Sequence, residues 1–430
     1  MPRWSTVKLW SNWNSIRKSI NKGLAVDMKA YITIVIFIVI VSYIFVACKS
    51  IDRSQENIDL QTDKGFVKDN TDQDFENSRK QSEIYLDNTS DCKDILENKE
   101  GIDYHFFDCV ISGRKSKVHV LEIYVENKNV TLKPVLSFNM VFGYEKLSDM
   151  VEKQEAIAGV NGGFSYEYGR HGGVFIANNN YYNWKTGQYP VFLFRNDEYQ
   201  IIESKDFRSY IQIAGKKMEL HGINKPHEYT ANMILYNRLY GNTDRITEEH
   251  YVVTVKNNII SEAGVRYGEQ PIPENGYLIT MGKPFDLLYL NELYKPGYDV
   301  QIIHQPFLNE TDWAVECGDR LVKDGQNVAP EHSGWVGTLN GYDPRTAVGI
   351  KRNGNPVFVI VDGRQPGYSV GVTAKELADI LINLDVIDAV MLDGGASSEM
   401  IFNGEIVSRP SYKGQERPMA SAFIVVNSAY

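Results

Sequence analysis

Two glycine-containing segments place a carboxylate directly after an apolar run. The first run, Pro356–Val361, is followed by Asp362-Gly363-Arg364, and the second, residues 389–392, is followed by the segment 393–398 that begins with Asp393. Short apolar runs that are rich in β-branched residues and bounded by glycine predict buried strands. Two carboxylates brought together on flexible loops could perform general acid/base chemistry. We therefore predict Asp362 and Asp393 as the catalytic residues.

A single helix is predicted between these two runs. Thr373 and Glu376 fit a capping box, and Leu377, Ile380 and Leu381 follow it at helical spacing. A strand–helix–strand unit places its two strands parallel, with a right-handed crossover. Both aspartates would then emerge at one edge of a sheet, where open α/β sheets bind their ligands. The pattern thus predicts a βαβ unit that carries the site.

Other polar groups around these segments could bind a substrate. Asn161 and Gly162 follow an apolar run, so that an amide and a closely approaching backbone could meet a sugar hydroxyl or a phosphate oxygen. Arg345 precedes another predicted strand, and a guanidinium group binds phosphate with two parallel hydrogen bonds. Main-chain amides of a glycine-rich loop can form an anion-binding nest. The predicted substrate-binding residues are Asn161, Gly162, Arg345, Arg364, Gly394, Gly395, Ser397 and Ser398.

Several function classes are disfavoured by composition. The 430 residues carry a formal net charge of -10, which argues against a nucleic-acid partner. The sequence has no phosphate-binding P-loop, no zinc-protease motif, no dinucleotide fingerprint and no cluster of Cys and His, so we predict neither a cofactor nor a metal. Cys92 and Cys109 could form a disulfide, which would leave Cys317 as a small buried hydrophobe. His171 is a weaker candidate for proton transfer.

The N-terminal part has the pattern of a membrane anchor. Residues 30–47 are uncharged and apolar, and about 18 such residues can span a bilayer. Residues 1–29 are basic, which predicts that they stay inside the cell and that the acidic remainder lies outside. An alternative begins at Met28 and treats the residues before Cys48 as a lipoprotein cleavage site. Either interpretation places the main body at the outer face of the membrane, attached by one pass or by a lipid.

The remaining chain predicts one folded domain after a spacer. Residues 48–100 are polar and mixed in charge, which is typical of a flexible spacer. Residues 101–430 alternate strand-like runs with Gly, Asn and Pro, and the motifs lie within 156–426. We predict an α+β fold in which a single β-rich catalytic domain contains the βαβ unit and is preceded by a transmembrane or signal segment.

Taken together, these motifs resemble the phosphodiester glycosidase domain family. The resemblance rests on 161–164, 318–325, 345–349, 361–369, 393–398 and 416–418, whose order and spacing match the family. It implies a hydrolase that removes a GlcNAc-like sugar from a sugar-1-phosphodiester, and it adds Arg417 to the substrate-binding residues. One aspartate would act as acid or base, and the other would activate water or stabilise positive charge on the sugar.

The chain departs from the family pattern in ways that keep a second function open. Ala396 stands where the family usually has Gly, and Glu399 stands where it has Thr. An added carboxylate near a phosphate is unfavourable unless it is protonated or paired. The predicted substrate is a phosphoglycan of the cell surface or an exopolysaccharide. The alternative is a glycan-binding or polysaccharide-assembly surface protein without catalytic activity.

Overall fold

The computed structural model describes residues 93–99, 101–228 and 230–427. These residues form three α-helices, α1 (Leu147–Lys153), α2 (Leu287–Leu293) and α3 (Ala374–Asn383), among 28 strands. The strands are, in chain order, β1 (Lys93–Lys99), β2 (Ile102–Ile111), β3 (Arg114–Ile123), β4 (Val130–Leu136), β5 (Ala158–Asn161), β6 (Phe175–Ala177), β7 (Asn180–Asn183), β8 (Pro190–Arg195), β9 (Glu198–Glu203), β10 (Arg208–Ile213), β11 (Lys216–Leu220), β12 (Gly222–Ile223), β13 (Ile234–Asn237), β14 (Glu249–Lys256), β15 (Ile259–Tyr267), β16 (Gly276–Met281), β17 (Val300–Gln305), β18 (Trp313–Glu316), β19 (Arg320–Lys323), β20 (Gln326–Asn327), β21 (His332–Ser333), β22 (Gly337–Thr338), β23 (Arg345–Lys351), β24 (Pro356–Val361), β25 (Val386–Met391), β26 (Met400–Phe402), β27 (Glu405–Ile406) and β28 (Ser421–Asn427).

The largest sheet has eight strands in the order β1-β2-β3-β24-β23-β25-β19-β20, and all neighbours in it are antiparallel. Every residue of β24 is buried. Val359 and Val361 pack in the hydrophobic cluster beneath α3, whereas Phe358 and Ile360 pack in the cluster on the opposite face. Because both faces are covered, the strand reads as a continuous apolar run rather than an alternating one.

Two five-stranded sheets share the core on the face opposite α3. Their strand orders are β27-β26-β5-β28-β4 and β7-β6-β18-β8-β9. The ring of Phe423 in β28 lies 5.3 Å from that of Phe358 and 5.8 Å from that of Phe192, so three sheets meet at these side chains. The remaining sheets are β12-β13-β16-β14-β15, β11-β10-β17 and β21-β22.

Helix α3 forms as its sequence predicts. The Thr373 side chain accepts from the backbone N–H of Glu376, and the Glu376 side chain accepts from the backbone N–H of Thr373, which completes the capping box. Leu377, Ile380 and Leu381 are fully buried against the eight-stranded sheet. The helix thereby covers the face of the sheet next to the candidate site.

The predicted fold class is wrong. The described residues form a mainly β structure of six sheets, in which three short α-helices contribute little, rather than an α+β fold. Strands β24 and β25 run in the same direction, but β23 lies between them and is antiparallel to both. The unit is therefore not a pair of adjacent parallel strands. A local pattern predicts a strand and a helix, but not that a strand from earlier in the chain will pair between them.

The predictions for the N-terminal part fall largely on residues outside the described ones. This holds for the basic segment 1–29, for the predicted membrane segment 30–47 and for Cys92, the proposed disulfide partner of Cys109. No helix in the part of the chain that the structure describes is long and apolar enough to cross a membrane. Strand β1 lies within the predicted spacer 48–100 and pairs with β2. The boundary at residue 101 stays a prediction.

Candidate active site

Three predicted site residues lie at one edge of the eight-stranded sheet. Strand β23 begins with Arg345, which pairs with Val361 at the end of β24. Two residues further along β23, Ala347 pairs with Met391 at the end of β25. Since β24 and β25 both run antiparallel to β23, the segments that begin with Asp362 and lead to Asp393 leave the sheet where β23 enters it. This edge is the candidate active site.

Asn161 connects the segment 393–398, which we call the Asp393 loop, to the neighbouring sheet by hydrogen bonds. Its amide nitrogen donates to the carbonyl oxygen of Asp393 at 2.7 Å, and its amide oxygen accepts from the hydroxyl of Thr346 at 2.9 Å and from the backbone N–H of Glu399 at 3.2 Å. The backbone N–H of Asp393 donates to the carbonyl of Gly162 at 3.1 Å. With only 1% of its surface exposed, Asn161 holds the loop rather than facing solvent. Its role as a substrate ligand stays a prediction.

Two positions at the site, one in the Asp393 loop and one after β5, need glycine for steric reasons. Gly395 has a φ of 62°, a backbone conformation that side chains disfavour. A Cβ atom there would also lie 3.1 Å from the terminal nitrogens of Arg364. At Gly162 a Cβ atom would lie 2.3 Å from the hydroxyl of Ser421. The close approach of backbone and guanidinium thus depends on the missing side chains.

Asp393 has the electrostatic setting of an acid/base group. Burial raises the pKa of its carboxyl, and hydrogen bonds from Ser397 and the backbone N–H of Gly394, together with the positive charge of Arg417, counteract part of that shift. The residue nevertheless keeps some exposure to solvent. A partly exposed carboxyl whose pKa is raised is suited to exchange a proton with a substrate or water.

Asp362 is buried, and its carboxylate is hydrogen-bonded to protein groups. Its carboxylate is 3.1 Å from His119 Nε2, accepts from the hydroxyl of Tyr368 at 3.1 Å and accepts from the backbone N–H of Arg409 at 3.0 Å. The Nδ1 atom of His119 lies 2.9 Å from the hydroxyl of Tyr104. Only 1% of Asp362 is exposed. The geometry favours a role in organising the loops around the site, and direct catalysis by Asp362 stays a prediction.

The two arginines predicted from the sequence stand in different environments. Arg345 is 4% exposed, and its guanidinium donates to the backbone carbonyls of Val372, Leu339 and Gly341 at 3.1–3.3 Å. Burial lowers the pKa of Arg345. Arg364 is half-exposed, and its Nε donates to Asp343 at 2.9 Å. Arg345 therefore holds backbone, and its role as a substrate ligand stays a prediction, whereas the terminal nitrogens of Arg364 lie over the Asp393 loop.

Arg417, which follows the Asp393 loop in the chain, contacts the same loop. This exposed residue donates from a terminal nitrogen to the hydroxyl of Ser397 at 3.3 Å. Ser397 is 4% exposed, and the hydroxyl of the 2% exposed Ser398 lies 3.0 Å from that of Thr346, to which it donates because the Thr346 proton is used on Asn161. The structure thus brings Arg364, Arg417, Gly394, Gly395 and Asp393 together, whereas Ser398 supports the loop from below.

An aromatic wall, which sequence reasoning missed, stands beside the loop. We use this name for Phe164, Tyr166, Tyr189 and Trp335. The ring of Trp335 stacks on that of Phe164 at 5.3 Å, and it lies 5.0 Å from Tyr166 and 5.7 Å from Tyr189. A Cβ atom at Gly318 would meet both the ring of Phe164 and the backbone carbonyl of Met391, so the wall adjoins the end of β25, two residues before Asp393. Trp335 lies in the turn between β21 and β22, and its sequence neighbours do not predict that it will contact Phe164.

His171, the weaker candidate for proton transfer, is buried. His171 is 1% exposed, and its ring nitrogens lie 3.1 Å from the hydroxyl of Ser421 and 3.0 Å from the carbonyl of Glu316. Burial lowers its pKa to about 4, so it is neutral and committed to protein partners. Cys317 is also buried. Within the described ranges, no group of three or more His, Cys, Asp and Glu side chains could hold a metal ion.

Comparison with known proteins confirms the resemblance noted from the motifs. Residues 249–426 match the family profile described as phosphodiester glycosidase. The chain is 29% identical over 164 residues to N-acetylglucosamine-1-phosphodiester alpha-N-acetylglucosaminidase of Bos taurus and 28% identical to that of Homo sapiens. Each match covers 37% of this chain, and the chain spans less than a third of either relative, 29% and 30%.

The fold has a counterpart among solved structures. A hypothetical protein from Synechocystis superposes with a TM-score of 0.65 at 20% sequence identity. The superposition covers 79% of this chain and 64% of the other. At that level of identity the likeness establishes a shared fold, and it carries no statement about the reaction.

Proposed function

We propose, from its match to the phosphodiester glycosidase family, that this protein hydrolyses a sugar-1-phosphodiester and releases a GlcNAc-like sugar. At the level of the family, the comparisons support a phosphodiester glycosidase. The observation that carries the finer proposal is the Asp393 loop, which holds a carboxyl of raised pKa under the influence of Arg417 and has the terminal nitrogens of Arg364 over Gly395. A base on a loop that two cations approach suits a reaction in which water attacks a sugar and an anionic phosphate leaves.

The reaction breaks the bond between C1 of the sugar and the phosphate oxygen. The electron pair departs with that oxygen, so the leaving phosphomonoester gains negative charge, which Arg364 and Arg417 can stabilise. Water adds to C1 and transfers its proton to Asp393. The raised pKa of Asp393 makes its carboxylate a stronger base for this transfer. The products are a free sugar and a phosphomonoester.

The aromatic wall supports binding of the sugar next to the phosphate. One face of a pyranose ring presents C–H groups, which pack favourably on an aromatic ring, and pockets for small ligands are commonly lined in this way. Tyr166 is 40% exposed and Trp335 is partly exposed, so both can meet a ligand. Arg170 lies 4.3 Å from the ring centre of Tyr166 and can orient it.

The location of the protein is a proposal that rests on the sequence. Residues 30–47 would attach the chain to the cell membrane, with the domain on the outer side, since basic residues precede the apolar run. A cell-surface or exopolysaccharide glycopolymer with phosphodiester links is then the accessible substrate. Detection of the native protein free in the cytosol would contradict this proposal.

A defined substrate tests the reaction directly. The purified full chain is incubated with an aryl diester of N-acetylglucosamine 1-phosphate, and the products are separated by chromatography. We expect free N-acetylglucosamine and aryl phosphate, and we expect much slower release from the matched aryl N-acetylglucosaminide, which offers no phosphate to the arginines. If a folded chain binds phosphoglycans but releases no sugar from a panel of sugar-1-phosphodiesters, the non-catalytic glycan-binding alternative is correct.

A further inference from the structure

Glu399, at which the chain departs from its family, is buried without a conventional partner. The residue follows Ser398 and is 0% exposed. Its backbone N–H is held by Asn161, but no hydrogen bond of normal geometry is donated to either oxygen of its carboxyl group. An ionised carboxylate in such a place is strongly unfavourable. The carboxyl group must therefore be protonated, or a neighbouring group must donate a proton to it.

The neighbouring group is a second carboxyl, that of Glu416. The two side chains share a hydrogen bond. Burial and the proximity of Glu416 together raise the pKa of Glu399 to about 9. Burial disfavours charge on Glu416 as well, but hydrogen bonds from Glu399 and Ser148 outweigh it and lower its pKa. At neutral pH, Glu399 is thus the protonated donor and Glu416 the charged acceptor.

Glu416 links this pair to two other parts of the site. Its carboxylate accepts from the backbone N–H of Ser148 at 3.0 Å and from the Ser148 hydroxyl at 2.8 Å, at the start of α1. The next residue, Arg417, contacts Ser397, and its charge acts on Asp393. The Glu399–Glu416 pair therefore links α1 to Arg417, which we propose to stabilise the leaving phosphate.

Few other charges face the pair. The side chain of Lys146 acts on both carboxyl groups, and the backbone N–H of Arg417 points towards Glu399. Lys146 is exposed to solvent, so its positive charge is screened. If the shared proton is lost, two negative charges meet in a buried place with little compensation.

We propose that Glu399 and Glu416 are positioning residues whose shared proton holds Arg417 against the Asp393 loop, and that loss of this proton releases Arg417. The proposal rests on the proposed function, and neither glutamate touches the reacting atoms. Glu416 anchors the segment 411–418 to α1, and protonated Glu399 anchors Glu416. Ionisation of Glu399 sets the alkaline limit of the reaction.

The pH dependence of kcat/KM separates this role from a merely structural one. The full chain is assayed on the aryl phosphodiester between pH 6 and pH 10.5, as wild type and as Glu399→Gln. Above the pKa of Glu399, about 9, wild-type kcat/KM should fall by about tenfold per pH unit, as expected for a single essential proton. The Gln amide still donates to Glu416 but does not titrate, so the variant should keep its neutral activity and lose the alkaline fall. An identical alkaline fall in both proteins overturns the proposal.

A readout without turnover distinguishes this proposal from the proposed function. Hydrogen–deuterium exchange of the backbone amides in 411–418 is measured at pH 7 and pH 10 and corrected for the intrinsic effect of pH. We expect the segment to lose protection at pH 10 in the wild type and to keep it in Glu399→Gln. If no sugar is released at any pH but this difference is present, the proposed function fails and the pair stands. Equal protection in both proteins overturns the pair.

Discussion

Replacement of Glu399 by Gln should make the protein less sensitive to alkaline pH in its folding stability. The pKa of Glu399 is raised from 4.5 to about 9 in the folded state. Between these values the folded chain binds one proton that the unfolded chain has lost. The favourable contribution is therefore complete below pH 4.5 and is lost as the pH rises towards 9. The slope is about 1.4 kcal/mol per pH unit for one proton.

The expected magnitude follows from that slope. Between pH 5 and pH 8, the wild type should lose about 4 kcal/mol of unfolding free energy through this residue. Gln does not titrate, so Glu399→Gln lacks this loss. The free energy of unfolding of the full chain is measured in urea at pH 5 and pH 8 for both proteins. The difference between them should increase with pH by that amount, because effects of packing and of all other titrating groups cancel.

A second variant guards against a coincidental packing effect. Glu399→Thr creates a cavity, so its absolute stability should be lower than that of Glu399→Gln. Its pH dependence should nevertheless match that of the Gln variant, because Thr does not titrate either. A difference between wild type and Glu399→Gln that stays constant from pH 5 to pH 8 would show that Glu399 is ionised in the folded protein, and the reasoning would be refuted.

Three further predictions concern the site. Asp393→Asn should lower kcat/KM for the aryl phosphodiester by about 10²–10⁴ with little loss of stability in urea, and a near-normal rate would remove Asp393 from the mechanism. Arg364→Lys and Arg417→Lys should each lower that kcat/KM about tenfold or more while sparing the matched aryl glycoside, whereas Arg345→Lys should mainly lower the free energy of unfolding, by about 2 kcal/mol. Equal effects of all three on both substrates would contradict the assignment. Trp335→Ala should raise KM about three- to tenfold, with Trp335→Phe close to wild type, and an unchanged KM in the Ala variant would exclude stacking on the sugar.

Local sequence patterns were sufficient for the elements that present the site. The run Pro356–Val361 forms β24, and the capping box at Thr373 begins α3 as predicted. Both features depend on neighbours within a few residues. The order of the strands does not, because β23 pairs on both sides with segments that follow it in the chain. This is why the sheet edge was predicted but the βαβ unit was wrong.

The roles of single polar residues were harder to predict, since they depend on distant partners. Arg345 was predicted as a phosphate ligand from its guanidinium alone, and its hydrogen bonds to the backbone carbonyls of Leu339, Gly341 and Val372 could not be inferred from the sequence. His119 lies within an apolar strand, and only the fold reveals that it faces Asp362 across two neighbouring strands. Glu399 was recognised as a departure from the family, but its partner Glu416 could not be inferred from spacing.

The pairing of β28 has a consequence for how the protein can be divided. Both neighbours of this strand, β4 and β5, come from residues before the family-matched segment 249–426. Strand β3, which flanks β24, and Asn161 come from there as well. A fragment cut at the limits of the family match would leave both edges of β28 and one edge of β24 unpaired, leave an apolar face uncovered and lose the hydrogen bond from Asn161 to Asp393. The smallest unit that can fold and act must therefore reach back at least to β3, and fragments produced for crystallisation or assay should begin before it.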